Sequence, residues 1–326
     1  MRLKTRLTQK LEIEHPILLA PMNVIAGGKL AAAVTDAGGL GIIGGGYGDA
    51  DWLERQFAAA GNTRVGCGFI TWSMARDPRL LDQVLAKQPA AVMLSFGEVQ
   101  PHAWRVKGRG VPLICQVQGM KYLREAVDAG ADIVVTEGCE AGGHSGYRGL
   151  FTLVPEAADY LAKRSPDTVL VAAGGVGDGR GLAAALMLGA DGVLVGTRFA
   201  ASEESEAPAG IRQAIIRADG DSTVKSKSVD VVRKRYWPNP EFVIRVLKNP
   251  FVAKWHGRER ELEAAIDAEH EPFWTAFKAG DADNTGVLTG EVAGIIRDSP
   301  PAARIVENMT AQACQLLGSH SRYVVG

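Results

Sequence analysis

The chain has 326 residues, and its 36 Lys and Arg nearly balance its 37 Asp and Glu, giving a formal net charge of −1 at pH 7. This balance excludes the basic face that nucleic-acid binding requires, and the length suits one α/β barrel or two domains. The four cysteines form no CxxC pair, no apolar run approaches the ~18 residues of a membrane span, and no apolar stretch follows the basic N-terminus. We therefore expect a soluble, cytoplasmic protein without a disulfide framework, a metal site or a membrane anchor.

Short apolar runs recur along the chain, each bounded by Gly, Pro or polar residues. They cover residues 17–20, 40–43, 65–70, 91–94, 111–117, 133–136, 169–173 and 193–195. Continuous apolar runs of this length are typical of strands that are buried on both faces, as in a parallel sheet. The sequence therefore predicts eight parallel strands.

Stretches rich in Ala and Leu lie between most of these runs and predict helices. Examples are 29–37, 77–87, 121–129, 155–163 and 179–188. A strand–helix unit repeated eight times is the pattern of a (β/α)8 (TIM) barrel, with a doubly wound open sheet as the structural alternative. The unit at 99–110 is the weakest, because it is short for a helix and contains Pro101.

After about residue 203 the pattern changes. The segments 211–218, 259–271, 287–297 and 302–317 predict helices, whereas 222–249 carries a basic cluster that we interpret as a solvated face rather than an anion site. We expect a barrel over 1–215, a smaller, mainly helical substrate-side domain or insertion over 216–285, and C-terminal helices over 286–326 that pack back on the barrel.

Two segments resemble ligand-binding motifs but lack a residue that each motif requires. The segment 39–44 (GLGIIG) imitates a dinucleotide fingerprint, but its glycines surround a strand, and position 64 is Arg where an acidic residue belongs. The segment 281–286 (DADNTG) imitates a calcium loop, but the twelfth position is Val292 instead of Glu. We interpret the first as a strand and the second as a turn.

The ends of the seventh and eighth predicted strands carry glycines. Gly174 and Gly175 follow one strand, and Gly196 and Thr197 follow the next. In barrels the loops after these two strands commonly form a phosphate site, because glycine lets the backbone amides approach the phosphate. A phosphate-bearing ligand is therefore expected here, with ordinary βα turns as the alternative.

The sixth strand ends in the Gly-rich segment 137–146 (EGCEAGGHSG). Catalytic residues of barrels lie at the C-terminal ends of strands, and an imidazole there can act as acid, base or donor near neutral pH. We therefore predict that His144 is functional, although a lone loop histidine is often only a polar surface residue. Cys139 has no basic neighbour in sequence, so we interpret it as structural. Met22 and Trp72, at the ends of the first and third strands, are candidate pocket walls.

Taken together, these segments resemble the nitronate monooxygenase family, formerly called 2-nitropropane dioxygenases and related to flavin-dependent enoyl-ACP reductases. The resemblance is carried by HPI at 15–17, APM at 20–22, AGGLG at 37–41, EAGGH at 140–144, AGG at 173–175 with DG at 178–179, and GTRF at 196–199. A weaker echo, GEVAG, lies at 290–294. The resemblance implies an FMN-binding barrel with a helical second domain, and it covers residues 15–204.

The resemblance also implies residue roles. His144 matches the active-site histidine of the family, which assists substrate oxidation as a base or an electrostatic partner. FMN phosphate would be held by Gly174, Gly175, Gly196 and Thr197, and the isoalloxazine would lie over Ala20, Pro21 and Met22 with Gln116 near its polar edge. Glu137, Gly142, Gly143 and Ala173 complete the expected cofactor contacts.

The implied reaction is the oxidation of an alkyl nitronate, or nitroalkane, with oxygen to a carbonyl compound and nitrite. The segment 41–46 (GIIGGG) is also close to NAD(P)H-dependent reductases of quinones or enoyl thioesters, whereas 66–72 (GCGFITW) departs from the Gly-Val-Asn of many relatives. That reductase activity, and a flavin-binding protein without turnover, are the alternatives. A homodimer is the expectation from base rates.

Overall fold

The computed structural model describes residues 2–319. Its strands are β1 (Ile17–Leu19), β2 (Ile42–Gly46), β3 (Gly66–Ile70), β4 (Val92–Ser95), β5 (Leu113–Val117), β6 (Ile133–Glu137), β7 (Gly143–Ser145), β8 (Val169–Ala173), β9 (Gly192–Val195), β10 (Thr223–Lys225) and β11 (Val243–Leu247). The strands belong to two separate sheets, one of eight strands and one of three.

The helices surround and extend these sheets. They are α1 (Arg6–Leu11), α2 (Gly28–Asp36), α3 (Ala50–Ala59), α4 (Thr71–Met74), α5 (Arg79–Ala86), α6 (Gln100–Lys107), α7 (Met120–Asp128), α8 (Leu150–Arg164), α9 (Gly179–Met187), α10 (Thr197–Ala200), α11 (Ala209–Arg217), α12 (Ser228–Val232), α13 (Pro250–Trp255), α14 (Glu259–Ala264), α15 (Ile266–Ala279) and α16 (Ala302–Gly318), with 3₁₀ turns at Gly220–Ser222 and Glu291–Ile295. Within the described residues, no helix is both long and apolar enough to cross a membrane.

The eight-stranded sheet is parallel and runs in the order β1-β9-β8-β6-β5-β4-β3-β2. Leu40 closes it, because its carbonyl accepts from the Leu19 amide at 2.9 Å and its amide donates to the Ile17 carbonyl at 3.0 Å. Apart from β7, which belongs to the other sheet, strands that follow one another in the chain are neighbours around the whole barrel. This confirms the predicted (β/α)8 barrel and excludes the doubly wound open sheet.

Alternation along the strands divides the core into two layers. Leu18, Met93 and Ile114 belong to the cluster inside the barrel, whereas their strand neighbours pack outward against the helices. Leu7 of α1 is fully buried in the inner cluster, so α1 covers the N-terminal end of the barrel. The C-terminal end is left for the loops that follow the strands.

The eighth barrel helix comes from a distant part of the chain. After β9 the chain forms only the four-residue α10, and α16 instead packs between α9 and α2. The side chain of Gln312 accepts a 2.7 Å hydrogen bond from the Gly179 amide at the start of α9. The intervening residues form a cap over the barrel.

This cap differs from the mainly helical prediction in containing a sheet. Strand β11 pairs antiparallel with β10 on one side and with β7, from the loop after β6, on the other. The predicted helix over 287–297 is wrong, because only the 3₁₀ turn Glu291–Ile295 forms there. Conversely, Pro101 lies in the first turn of α6, where no amide donor is needed, so that weak unit does form a helix. The division at residues 215 and 285 stays a prediction.

Candidate active site

A cavity opens at the C-terminal end of the barrel, beneath the cap. Strand ends and the loops that follow them form its barrel side. The structure brings every predicted site residue to this wall: Ala20, Pro21, Met22, Gln116, Glu137, Gly142, Gly143, His144, Ala173, Gly174, Gly175, Gly196 and Thr197. The cap forms the other side of the cavity, and the sequence indicated none of its residues as part of the site.

Two Gly-rich loops lie side by side after β8 and β9. Gly174 and Gly175 have φ angles of 103° and 70°, which side-chain-bearing residues rarely adopt. The Thr197 hydroxyl oxygen accepts from the Gly290 amide at 3.0 Å, so its own O–H is left to donate into the cavity. Backbone amides and a hydroxyl at this position suit an anionic oxygen group.

A close approach between β1 and β3 keeps the floor of the cavity flat. A Cβ atom added to Gly68 would lie 2.5 Å from the Pro21 ring, and one added to Gly196 would lie 3.5 Å from the Ala20 Cβ and 3.7 Å from the Met22 sulfur. The distance at Gly68 leaves no room for a side chain, whereas those at Gly196 are ordinary van der Waals contacts. A planar ring can lie against such a surface.

One wall holds a buried carboxyl group. Glu137, at the end of β6, accepts a 2.9 Å hydrogen bond from the Gln118 side chain. Burial raises the pKa of Glu137 to about 8, although Gln118, Gln116 and the charge of Lys225 act to lower it. Glu137 is therefore largely protonated at pH 7 and can donate a hydrogen bond to a ligand.

His144 is held by the small sheet. It lies in β7, opposite Ile244 of β11, and its Nε2 lies 2.8 Å from Asp230 Oδ2 of α12. Both side chains are buried, at 7% and 9% exposure. Because a carboxylate can only accept, Nε2 carries the hydrogen and Nδ1 is left as the nitrogen available to a ligand.

Aromatic rings fix the plane of this imidazole. The Trp237 ring stacks on it, with centroids 3.5 Å apart and planes 18° apart, and Phe96 meets its edge at 6.3 Å. The Trp237 indole donates to the Tyr47 hydroxyl at 3.1 Å. The His144 ring is thus restrained through its edge and its face.

Burial lowers the pKa of His144, and the Arg233 charge adds to this, whereas the hydrogen bond and charge of Asp230 raise it. The direction we accept is downward, because the ring is almost completely removed from water. His144 is therefore neutral at pH 7, with an accepting Nδ1. A neutral, oriented and buried imidazole on the cavity wall can take a proton from a ligand.

Four residues of this site were not predicted from the sequence. Asp230, Trp237 and Phe96 were not predicted, and Arg233, from the cluster interpreted as a solvated face, lines the cavity instead. Trp72 does not line the cavity and packs behind it, against Tyr47 and Trp237.

The reactive groups of the loop after β6 have structural partners. Burial, followed by the Glu140 charge, raises the pKa of the Cys139 thiol, which disfavours a nucleophilic thiolate. The Glu140 carboxylate accepts from the Leu150 amide at 3.0 Å and so caps α8. Among residues 2–319 no cluster of three His, Cys, Asp or Glu could hold a metal ion.

Comparisons with known proteins show the family of this chain. The sequence model of the nitronate monooxygenase family matches residues 4–64 and 68–312, which is nearly the whole chain. The chain belongs to the nitronate monooxygenase family. Nitronate monooxygenase npaC of Metarhizium robertsii is 34% identical over 93% of this chain and 92% of its own length.

Other relatives have different activities in their names. The (3aS,4S,5R,7aS)-5-hydroxy-7a-methyl-1-oxo-octahydro-1H-indene-4-carboxyl-CoA dehydrogenase of Mycobacterium tuberculosis is 30% identical over 99% of this chain and 100% of its own. The structure of FabK from Thermotoga maritima matches with a TM-score of 0.86 and 31% identity, covering 99% of this chain and 100% of that one.

As a member of the nitronate monooxygenase family, the chain is a flavin-dependent oxidoreductase that acts on a small molecule. The residues that line the cavity fit a flavin. Its floor is flat at Pro21 and Gly68, its Gly-rich loops adopt left-handed backbone, and a protonated Glu137 is available on one wall.

Proposed function

We propose that this chain binds FMN and oxidises alkyl nitronates with oxygen to a carbonyl compound and nitrite. The observation that carries the proposal is the neutral His144, bonded to Asp230 and stacked on Trp237, above the flat floor of the cavity. Relatives named nitronate monooxygenase, aligned over most of the chain, support the same reaction. A nitronate, or the nitroalkane from which it forms, is the proposed substrate.

FMN is proposed because the cavity offers one phosphate cradle, and the dinucleotide fingerprint is not met. Gly174, Gly175, Gly196 and Thr197 would hold the phosphate. The ring would lie on Ala20, Pro21 and Met22, with Gln116 and Glu137 at its polar edge. Ala173, Gly142 and Gly143 would form the adjoining wall. When bound, FMN supplies an acceptor for the electrons of the nitronate and passes them to oxygen.

His144 would act on a proton. Its Nδ1 lone pair can accept the proton from the α-carbon of a nitroalkane, and the resulting imidazolium would be stabilised by the Asp230 carboxylate. The positive ring would then lie beside the nitronate anion. Asp230 is a positioning residue in this scheme, because it acts through His144.

NAD(P)H-dependent reduction of quinones or enoyl thioesters is the second candidate. The FabK match over the full chain and the dehydrogenase relative whose name contains a carboxyl-CoA favour it. The deciding measurement is anaerobic. Flavin bleaching by propionate 3-nitronate, with nitrite formed when oxygen is admitted, would support nitronate oxidation, whereas fast bleaching by NADH or NADPH would support the reductase. A bound flavin that neither donor reduces would favour a flavin-binding protein without turnover.

The roles of His144 and Asp230 can be tested together by substitution. We expect His144→Ala to retain FMN and to lose roughly 10²- to 10⁴-fold in nitroalkane turnover, the usual contribution of a positioned base. Asp230→Asn removes a charge that raises the pKa of His144, so His144 should lose its proton at lower pH in this variant. The acidic limb of the kcat/KM profile of the variant should therefore move to lower pH. Near wild-type turnover of His144→Ala would remove this histidine from the mechanism.

A further inference from the structure

Arg233 places a positive charge on the cavity wall that forms no ion pair among the described residues. Its Nε atom is buried and has no hydrogen-bond partner among residues 2–319, and it takes part in none of the ion pairs formed by this part of the chain. A buried donor without a partner destabilises the folded protein. A ligand that accepts a hydrogen bond from this Nε atom would remove that cost.

Two aromatic rings hold this guanidinium in place. Its central carbon lies 5.6 Å from the Tyr47 ring centroid and 5.9 Å from that of Trp274 in α15. Attraction between a cation and aromatic faces fixes its position without neutralising its charge. The Asp230 carboxylate, three residues before Arg233, is bonded to His144 through Oδ2, and its buried Oδ1 has no hydrogen-bond partner among the described residues, Arg233 included.

An apolar region of the same cavity adjoins Arg233. The Trp274 ring meets Phe273 at 5.6 Å and Phe277 at 5.9 Å, and these rings line the cavity together with Ile211, Ile215 and Leu288. A ligand that fills both parts therefore needs a hydrocarbon portion next to an anionic group. A small polar anion would leave the apolar region without a partner.

We propose that Arg233 binds the anionic group of the substrate and that the substrate is an amphipathic anion whose hydrocarbon portion occupies this apolar region. A guanidinium matches a planar group with two oxygens on one atom, which describes a carboxylate and a nitronate equally. If the anion is the reacting nitronate, the inference rests on the proposed function. If the anion is a carboxylate on the substrate tail, it does not.

Calorimetric titration of the flavin-loaded protein tests the anion site without turnover. The probes are hexanoate and hexan-1-ol, which share a hydrocarbon chain and differ in charge. We expect Arg233→Gln to weaken hexanoate binding about tenfold or more, because the variant lacks the charged donor that would bind the carboxylate, and to leave hexan-1-ol binding unchanged. Arg233→Lys should recover part of the loss.

Arg235→Gln is the matched control, because Arg235 also lies over the Tyr47 ring, at 4.4 Å, but is exposed and does not line the cavity. It should bind hexanoate like the wild type. Equal affinities of the wild type for hexanoate and hexan-1-ol, or equal losses in the two glutamine variants, would overturn the proposal. Circular dichroism and the bound-flavin spectrum show whether each variant is folded.

Steady-state kinetics then show whether Arg233 binds the nitronate group or a carboxylate of the substrate. A loss of kcat/KM in Arg233→Gln for both propyl-1-nitronate and propionate 3-nitronate places the nitronate on Arg233, and a loss for the second alone places the carboxylate there. No loss for either contradicts the proposal. If the wild type oxidises neither compound but hexanoate binding depends on Arg233, the proposed function fails and the anion site stands.

Discussion

Glu137 makes the stability of this protein depend on pH in an unusual direction. The pKa of its buried carboxyl group is about 8, whereas the ordinary value is 4.5. Between these values the folded protein holds a proton that the unfolded chain has released. The free energy of unfolding therefore falls as the pH rises through this window, by about 1.4 kcal/mol per pH unit from this group.

Glu137→Gln should remove that dependence, because the amide is neutral at every pH. We expect the variant to gain stability over the wild type as the pH rises from 5 to 8, and the difference to level off above 8. Urea denaturation of the flavin-free protein across this range measures it. The exposed Glu203→Gln is the control, and a difference for Glu137→Gln that stays constant with pH would contradict the expectation.

Single residues of the site differ in how far the sequence could reveal them. His144 follows a predicted strand within a run of glycines, and barrel geometry alone brings such a position to the cavity. Asp230 is 86 positions away and its carboxylate reaches Nε2 only through the pairing of β7 with β11. Nothing near Asp230 or Trp237 in the sequence marks that contact.

Close packing between elements makes Gly68 a test of the cavity floor. A Cβ atom there would lie 2.5 Å from the Pro21 ring, which has no freedom to rotate away. We expect Gly68→Ala to lower the free energy of unfolding by about 1–3 kcal/mol, the usual effect of overpacking, and to weaken flavin binding by displacing Pro21. Thermal unfolding and flavin titration measure the two effects.

Gly119→Ala is the matched control for this substitution. Gly119 has an extended backbone with φ of 179°, and no atom lies within 4 Å of an added Cβ. Its flavin affinity should equal that of the wild type. Equal flavin affinity in Gly68→Ala as well would show that the floor can shift without affecting the ligand.

Elements were predictable where their pattern was long and local. All eight barrel strands form at the apolar runs, since a strand buried on both faces leaves a continuous apolar segment. The small sheet was missed, because β7 and β10 have only three residues each and pair through β11 from distant segments. Around 287–297 the apolar residues resemble a helix, but the Gly290 and Glu291 amides are bonded to Thr197 and Glu140 instead.

At the scale of the whole molecule, α16 closes the ring of barrel helices, because it packs between α2 and α9. Met309 is 2% exposed where this helix meets the core. We expect Met309→Ala to lower the free energy of unfolding by about 2–5 kcal/mol, because it leaves a cavity in the core. Met187→Ala in α9, where the side chain is 77% exposed, should change it by less than about 0.5 kcal/mol.

Chemical denaturation followed by fluorescence and by circular dichroism measures both methionine variants. We expect one coincident transition, since α16 packs on both α2 and α9. A separate early transition confined to Met309→Ala would show that the last helix unfolds independently of the barrel.

Because α16 supplies the eighth barrel helix, the order of synthesis matters for this protein. The apolar faces of α2 and α9 leave the ribosome long before the helix that covers them, and the entire cap is made in between. Contacts between residues so far apart in sequence form slowly. The nascent chain therefore exposes the apolar faces of α2 and α9 throughout this interval. A chaperone that binds these faces during translation would raise the yield of folded protein.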